Sequence, residues 1–376
     1  MRVLFSGGAS GGHVNPALAI AEIMKANYPD CQIAFVGTPD GIENSLVPQA
    51  GYKLYKIKIE GVNGKSGINK LCAYARAFTS QFAAKRVIKE FKPDLVIGTG
   101  GYACWPALKA AAEKGIPTML HESNSYPGMA VRKLQETVDV VMTNFESTKE
   151  KLSPNACVVN VGNPVRRDCS VLTREDARAR LGVGNDKFVV LSFGGSLGAE
   201  ALNDAAVDYM KNFAAAYEDV ISYHVGGRNH YEDACKKFEE NELLDNKRNI
   251  LISFTNELPV YMAAADVVIC RAGAMTITEL ARMGKAAIII PSTNVTDNHQ
   301  YINAKALADA GAAILIEESE IKNGASVSKR LREIYEDRAS CRAMSRRVKD
   351  FANENVDRVI FETIKDLLDS YKKIVK

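Results

Sequence analysis

The sequence predicts an α/β protein made of two Rossmann-like, doubly wound parallel-sheet domains facing a cleft. Three observations carry this. Short Val- and Ile-rich runs alternate with longer stretches of helical period. The runs fall into two series on either side of a Gly/Asn/Pro break, and a glycine-rich loop follows the first run of each series. With 376 residues, 47 % of them apolar, the chain is long enough for two cores.

Taken in order, the expected strands of the first series are RVLFSG from Arg2, QIAFVG from Gln32, DLVIGTG from Asp94, TMLHES from Thr118 and VVMTNF from Val140. The second series is KFVVLSF from Lys187, ISYHVGG from Ile221, ILISFT from Ile250, DVVICRAG from Asp266, AAIIIPS from Ala286 and AAILIEE from Ala312. Between them GNPVRRD, Gly162 to Asp168, interrupts the pattern and sets a boundary between residues 1–165 and 166–345. Beyond about Gly324 the chain reads as charged and helical. Its last amphipathic run, within 346–376, is expected to pack back on the first domain.

Composition excludes some functions. The 48 basic and 45 acidic residues leave a net charge of +3, too small to imply a nucleic-acid partner. Eight cysteines lie far apart with no CxxC pair or Cys/His cluster, so reduced thiols and no metal site are expected. The opening MRVLFSGGASGGH has too short an apolar stretch for a signal peptide or a membrane span, so the chain is expected in the cytoplasm.

GGASGGH, Gly7 to His13, is expected to link a strand to a helix that opens with Asn15 as N-cap and Pro16 as first residue. Such a loop either cradles a phosphate or is a tight turn with no ligand, and the glycines alone do not decide. Its spacing is not GxGxxG, and no acidic residue follows at the interval a ribose contact needs, which argues against a dehydrogenase. His13 closes the loop, as a base for a sugar hydroxyl or as a hydrogen-bonding partner of the loop itself. FGGSLGA, Phe193 to Ala199, repeats the arrangement in the second half, where Ser196 could donate to a phosphate oxygen. CRAGAMTITEL leads from a strand into a helix carrying Glu279, either an acceptor for ribose hydroxyls or a helix-capping acid. HESNS from His121 and DNHQ from Asp297 place polar groups at strand ends, suited to sugar hydroxyls or simply to polar loops.

Seven segments in this order, GGASGGHVNPALAIA, GTGGY, HESN, VGNPVR, FGGSLGA, DVVICRAGAMTITEL and DNHQ, closely resemble the MurG family, bacterial glycosyltransferases of peptidoglycan synthesis. The resemblance is collinear from Val3 to Gln300 and implies a GT-B fold, with acceptor binding and membrane association in the first domain and UDP-GlcNAc binding in the second. The implied reaction moves GlcNAc to the C4 hydroxyl of the muramoyl sugar of lipid I, with inversion. By motif position, Ser10, Gly11, Gly12, Asn124, Arg166, Ser196, Thr255, Ala274, Met275, Thr276, Ile277, Thr278, Glu279 and Gln300 would line the donor site. His13 would be the base, with Glu122 in reserve as base or as the group that orients another residue. His299 and Ser123 stand where the family usually has glutamine, and the Pro291–Gln300 segment looks one residue longer than the family pattern. No cofactor is implied; helix N-termini, loop amides and Arg166 would meet the leaving-group charge.

The implied partners are UDP-GlcNAc, lipid I, anionic lipid of the inner leaflet at the cytoplasmic face of the cell membrane, and, as a candidate, a cell-wall synthesis complex. Leu71, Tyr74, Phe78 and Phe82, flanked by Lys70, Arg76, Lys85, Arg86 and Lys89, form a helical stripe that is either a peripheral membrane face or the core side of a Rossmann helix. Trp105 could mark the same rim. Rival readings are a diacylglycerol glycosyltransferase, a non-hydrolysing UDP-GlcNAc 2-epimerase and a binding module without turnover. The combination of GGxxGGH with HExN favours the lipid I acceptor, and the joint presence of His13, Asn124, Glu279 and Gln300 argues for turnover.

Overall fold

The computed structural model describes residues 1–59, 67–295, 298–322 and 327–374. The chain divides into two compact units, Met1–Arg166 with Asn353–Lys376, and Arg167–Ala352.

In the first unit, β1 (Arg2–Gly7), β2 (Gln32–Gly37), β3 (Lys53–Lys56), β4 (Leu95–Gly100), β5 (Thr118–Glu122), β6 (Val140–Thr143) and β7 (Val158–Asn160) form one sheet in the order β3-β2-β1-β4-β5-β6-β7. Every pairing is parallel, so each connection is a crossover; Gly11–Asn27 and Gly67–Phe91 are two of the helices that make them. Leu4, Val36, Val96, Leu120 and Val141 point to one face and bury Ile88, Ala107 and Leu108 against them. Trp105 is partly buried against this core, with the Lys109 ammonium 5.2 Å from its ring centroid.

The helix Val356–Ile374 belongs to this unit. Val356, Ile360 and Ile364, spaced four apart, are its buried stripe, and full burial of each such side chain contributes about 1.5–3 kcal/mol. Phe361 lies 5.5 Å from the Tyr28 ring, and the Tyr371 hydroxyl donates to Asp139 over 2.8 Å.

In the second unit, β8 (Phe188–Phe193), β9 (Val220–Val225), β10 (Asn249–Ile252), β11 (Val267–Cys270), β12 (Ala286–Ile289) and β13 (Ile314–Leu315) are ordered β10-β9-β8-β11-β12-β13, again all parallel. Alternate residues serve opposite faces. Val190, Ile269 and Ile288 join Leu202, Tyr209 and Phe213, whereas Val189, Leu191, Val268 and Ile289 join Leu280, Ala304 and Val348. Helices on both faces explain why these strands read as unbroken apolar runs.

Two strands were not expected from the sequence. KLYK (β3) and VVN (β7) are the edges of the first sheet, only half-buried, and at four and three residues are too short to register as strand signals. The second return between units lies at Ala352/Asn353, where the sequence pattern set 345/346. The helix Arg338–Lys349 stays with the second unit because its Cys341 and Val348 are buried there. A further difference concerns the first helix. It begins at Gly11, with Ser10 as N-cap, and Pro16 is its sixth residue rather than its first. Pro16 has no N–H to give the Gly12 carbonyl, a loss tolerated near a helix start where glycines leave the backbone room to adjust.

Candidate active site

Strand order locates the site in each unit. In the first sheet the chain leaves β1 toward β2 on one side, and β4 toward β5 on the other, so the crevice falls at the carboxyl ends of β1 and β4. GGASGGH follows β1 and GYAC follows β4. In the second sheet the same reversal lies between β8 and β11, followed by GGSLGA and RAGAM.

In the first unit the imidazole of His13 is held by its own loop. Nδ1 lies 3.0 Å from the Gly8 carbonyl oxygen and 3.3 Å from Ser10 Oγ. A carbonyl can only accept, so Nδ1 is the donor here, and in the neutral ring Nε2 then keeps its lone pair, the form a base requires. The Thr99 hydroxyl donates to the His13 carbonyl over 2.6 Å, tying the helix start to β4. Gly100, at φ +107°, abuts the ring: a Cβ there would lie 2.4 Å from Cδ2 and 2.8 Å from Nε2. Ser10 is the N-cap, with φ −138° and ψ 159°, while Gly11 and Gly12 form the first turn. Loop and histidine thus form one hydrogen-bonded unit, and the two roles considered for His13 are not exclusive.

At the end of β5, Glu122 is buried and collects three donors: Asn124 N at 2.9 Å and Asn124 Nδ2 at 3.0 Å on Oε1, and Gly128 N at 2.7 Å on Oε2. Its carboxylate therefore orients the Asn124 amide and secures the Gly128 N-cap of the helix Met129–Leu134. His121, fully buried, donates from Nε2 to the Gly162 carbonyl over 3.0 Å; burial depresses its pKa to about 4, so it is neutral and structural. Arg166 is the last residue of the first unit before the crossing into the second, half-buried after Asn163, whose amide donates to the Ser123 carbonyl at 3.3 Å.

The second unit builds its loop backbone to backbone. Gly195 and Gly198 have φ of +91° and +85°, and a Cβ on Gly198 would lie 1.9 Å from the Gly226 carbonyl oxygen. Arg228 N donates to the Ser196 carbonyl at 3.2 Å, which leaves the Ser196 side chain half-exposed beside the start of the helix Glu200–Asn212. Thr255 Oγ1 accepts Glu257 N at 3.0 Å, a local turn ahead of the helix Leu258–Ala264, so its hydroxyl shapes the backbone.

Gly273 caps the helix Ala274–Met283. Ala274 and Met275 are buried; Thr276, Ile277 and Thr278 are half-buried, and Thr278 Oγ1 bonds back to the Ala274 carbonyl at 2.9 Å. Glu279 is the sixth residue of this helix and 6 % exposed, too far along to cap it. Burial first, and the Glu279 charge second, push the Cys270 thiol up. Gln300, in the helix His299–Asp309, accepts Ser292 N on Oε1 at 3.0 Å. Asp297 of the DNHQ loop lies outside the described residues.

Sequence reasoning missed Glu43. This buried carboxylate accepts from Thr38 and Ala9 and fills a space lined by Gly8, Gly37 and Gly41. An acid following glycines in the second βα loop was the only signal. On the helix Gly67–Phe91, Phe82 is 63 % exposed and shares a face with exposed Lys85, Arg86 and Lys89, while Ala84, Val87 and Ile88 face the core. Lys85 pairs with Glu113 at 2.7 Å. The side chains of Lys70, Leu71, Tyr74, Arg76 and Phe78 lie outside the described residues. Among the described residues no helix is long and apolar enough to cross a membrane, and no His/Cys/Asp/Glu group is arranged to hold a metal ion.

Comparison with known proteins agrees with this architecture. A UDP-N-acetylglucosamine--N-acetylmuramyl-(pentapeptide) pyrophosphoryl-undecaprenol N-acetylglucosamine transferase of Acetivibrio thermocellus is 37 % identical over 368 residues, covering 98 % of each chain. The crystal structure of Acinetobacter baumannii MurG superposes with a TM-score of 0.65 at 30 % identity, covering 97 % of this chain and 99 % of that one. A Neisseria meningitidis UDP-GlcNAc 2-epimerase bound to UDP-GlcNAc has a TM-score of 0.66, covering 97 % of this chain and 100 % of that one, but at 16 % identity it shares the fold alone. The fold is GT-B. The glycosyltransferase family 28 N-terminal domain model matches residues 3–143 and the corresponding C-terminal domain model residues 189–359, so this chain belongs to glycosyltransferase family 28.

Proposed function

We propose that the chain is an inverting N-acetylglucosaminyltransferase that moves GlcNAc from UDP-GlcNAc to the C4 hydroxyl of the muramoyl sugar in undecaprenyl-pyrophosphoryl-MurNAc-pentapeptide. The observation that carries this is the 37 % identity, over 98 % of both chains, with a relative named for that transfer. The His13 geometry supports the chemistry. Nε2 takes the acceptor hydroxyl proton, the oxygen attacks the anomeric carbon, the bond from that carbon to the diphosphate oxygen breaks, and UDP leaves with the electron pair.

The first unit takes the acceptor, with Glu122 as the group that orients Asn124 rather than as the base. The second takes the nucleotide sugar. The GGSLGA amides with Ser196, and the amides opening the helix Ala274–Met283, face the diphosphate. Glu279 accepts the ribose hydroxyls, Thr255 offers backbone atoms to the uracil, and Gln300 faces the sugar. The exposed Phe82, Arg86 and Lys89 face of the first unit meets anionic lipid at the cytoplasmic side of the membrane, without crossing it.

Radiolabelled UDP-GlcNAc with a short-chain lipid I analogue tests this. UDP and a labelled disaccharide-lipid should appear together, and only when acceptor is present. Conversion of UDP-GlcNAc to its 2-epimer without acceptor would replace this reading by the epimerase.

A further inference from the structure

The buried carboxylate of Glu43 does more than tether two loops. Glu43 is 0 % exposed, and each partner it has is a donor: Thr38 N and Thr38 Oγ1, both 2.7 Å from Oε1, and Ala9 N, 3.0 Å from Oε2. That is the pattern of an ionised acid. It sits in a cage only glycines permit: a Cβ on Gly8 would lie 2.4 Å from Oε1, on Gly37 2.5 Å from Cγ, and on Gly41 2.0 Å from Oε2. Burying a charge to join two loops is costly when a neutral side chain would serve.

What the charge reaches is one peptide group. The N–H of the Gly8–Ala9 peptide points at Glu43, and its C=O accepts His13 Nδ1 at 3.0 Å. Ala9 holds the left-handed conformation, φ +73°, which for a non-glycine residue needs such an external hold. On the other side, Gly101 backs the same peptide, since a Cβ there would lie 2.5 Å from the Gly8 oxygen. A carboxylate drawing on the N–H of an amide increases the negative charge on its oxygen, so the two hydrogen bonds strengthen each other.

We propose that Glu43 is a positioning residue which, through the Gly8–Ala9 peptide, keeps His13 in the Nδ1-protonated tautomer with Nε2 ready to receive a proton; this rests on the reading of His13 as base. Other titratable groups on the elements around the imidazole are placed differently. Cys104, under Gly100, donates to the Ser6 carbonyl at 2.9 Å and is kept a thiol by burial, its pKa pushed up to about 11. Tyr102 is half-exposed, and Glu122 is committed to Asn124 and Gly128.

The first test uses the wild-type protein. In ¹⁵N NMR, with His13 assigned among the five histidines by its absence in His13→Gln, Nδ1 should be pyrrole-like and Nε2 pyridine-like above the imidazole titration. An Nε2-protonated His13 overturns the proposal, whether or not any variant folds. In Glu43→Gln the amide cannot accept from both Thr38 and Ala9. The tautomers should mix, kcat should fall by about ten- to a hundredfold with UDP affinity within about twofold, and the acid limb of kcat/KM should move to lower pH, because imidazolium has lost a stabilising charge. In a His13→Gln background the same change should cost less than about threefold, since the two act as a unit. An unmoved acid limb with additive losses overturns the proposal while leaving His13 as base. If His13→Ala itself keeps turnover within about tenfold, the base reading fails instead.

Discussion

Replacing Glu279 by alanine removes a carboxylate that the second unit has already taken out of water, at 6 % exposure. Because much of its desolvation is met on folding, a ribose that brings two hydroxyls to it gains hydrogen bonds to a charge and adds mainly the cost of desolvating those hydroxyls. Each such bond is worth about 1.5–3 kcal/mol, and about 1.4 kcal/mol is tenfold in affinity. Loss of one bond alone therefore weakens UDP by about ten- to a hundredfold, and loss of both by more. Isothermal titration with UDP and UDP-GlcNAc measures this directly, with thermal unfolding run beside it to separate binding from stability. Acceptor affinity should not change. The 2′,3′-dideoxy analogue of UDP should bind the wild type poorly and lose little more in the variant. A variant with wild-type affinity for UDP, or one that discriminates against the dideoxy analogue as strongly as before, would show that Glu279 meets no ribose and that the donor site lies elsewhere.

His13→Ala should lower kcat by about two to four powers of ten with donor affinity intact, and a loss below tenfold in steady-state kinetics would make His13 structural. Gly100→Ala should reproduce much of that loss, because its Cβ would lie 2.4 Å from the imidazole at a φ of +107°; normal turnover would mean that the ring has room to move. Reversing Lys85, Arg86 and Lys89 to glutamate should weaken sedimentation with anionic vesicles while sparing turnover on a soluble short-chain acceptor. Since the Lys85–Glu113 pair is exposed, its loss should cost little stability; unchanged vesicle binding would remove this face from the membrane account. His224 is buried between Ser192 Oγ at 2.8 Å and Asn203 Oδ1 at 2.9 Å, and burial depresses its pKa to about 3. The unfolded chain then binds the extra proton below about pH 6.5, so the stability present above that pH is lost progressively toward pH 3, about 2 kcal/mol of it by pH 5. Urea unfolding at pH 7 and pH 5 should show this slope in the wild type and a reduced one in His224→Gln; equal slopes would refute the assignment.

The doubly wound fold was legible because each central strand is buried on both faces and so appears as an unbroken apolar run. The edges β3 and β7 were not, since half-exposed KLYK and VVN look like loop. Both glycine loops were legible as strand-to-helix turns, and the strand order then put each at the reversal of its sheet. Pro16 misled by resembling a helix start, when the helix in fact begins five residues earlier at Gly11. Glu43 left no more than the signal of an acid after glycines, because its environment is made by three glycines from two different loops that meet only in the fold. Thr255, a candidate for its backbone atoms, spends its hydroxyl on Glu257 N.

The most direct test of the account is the identity of the product. Wild-type protein, UDP-GlcNAc and a lipid I analogue should yield UDP and one new glycolipid. Its mass should increase by a single GlcNAc, and the proton coupling across its new anomeric centre should show a β linkage to the muramoyl C4 oxygen, inverted from the α-linked donor. An α linkage, transfer to a diacylglycerol in preference to the lipid I analogue, or epimerised UDP-sugar with no transfer would contradict it.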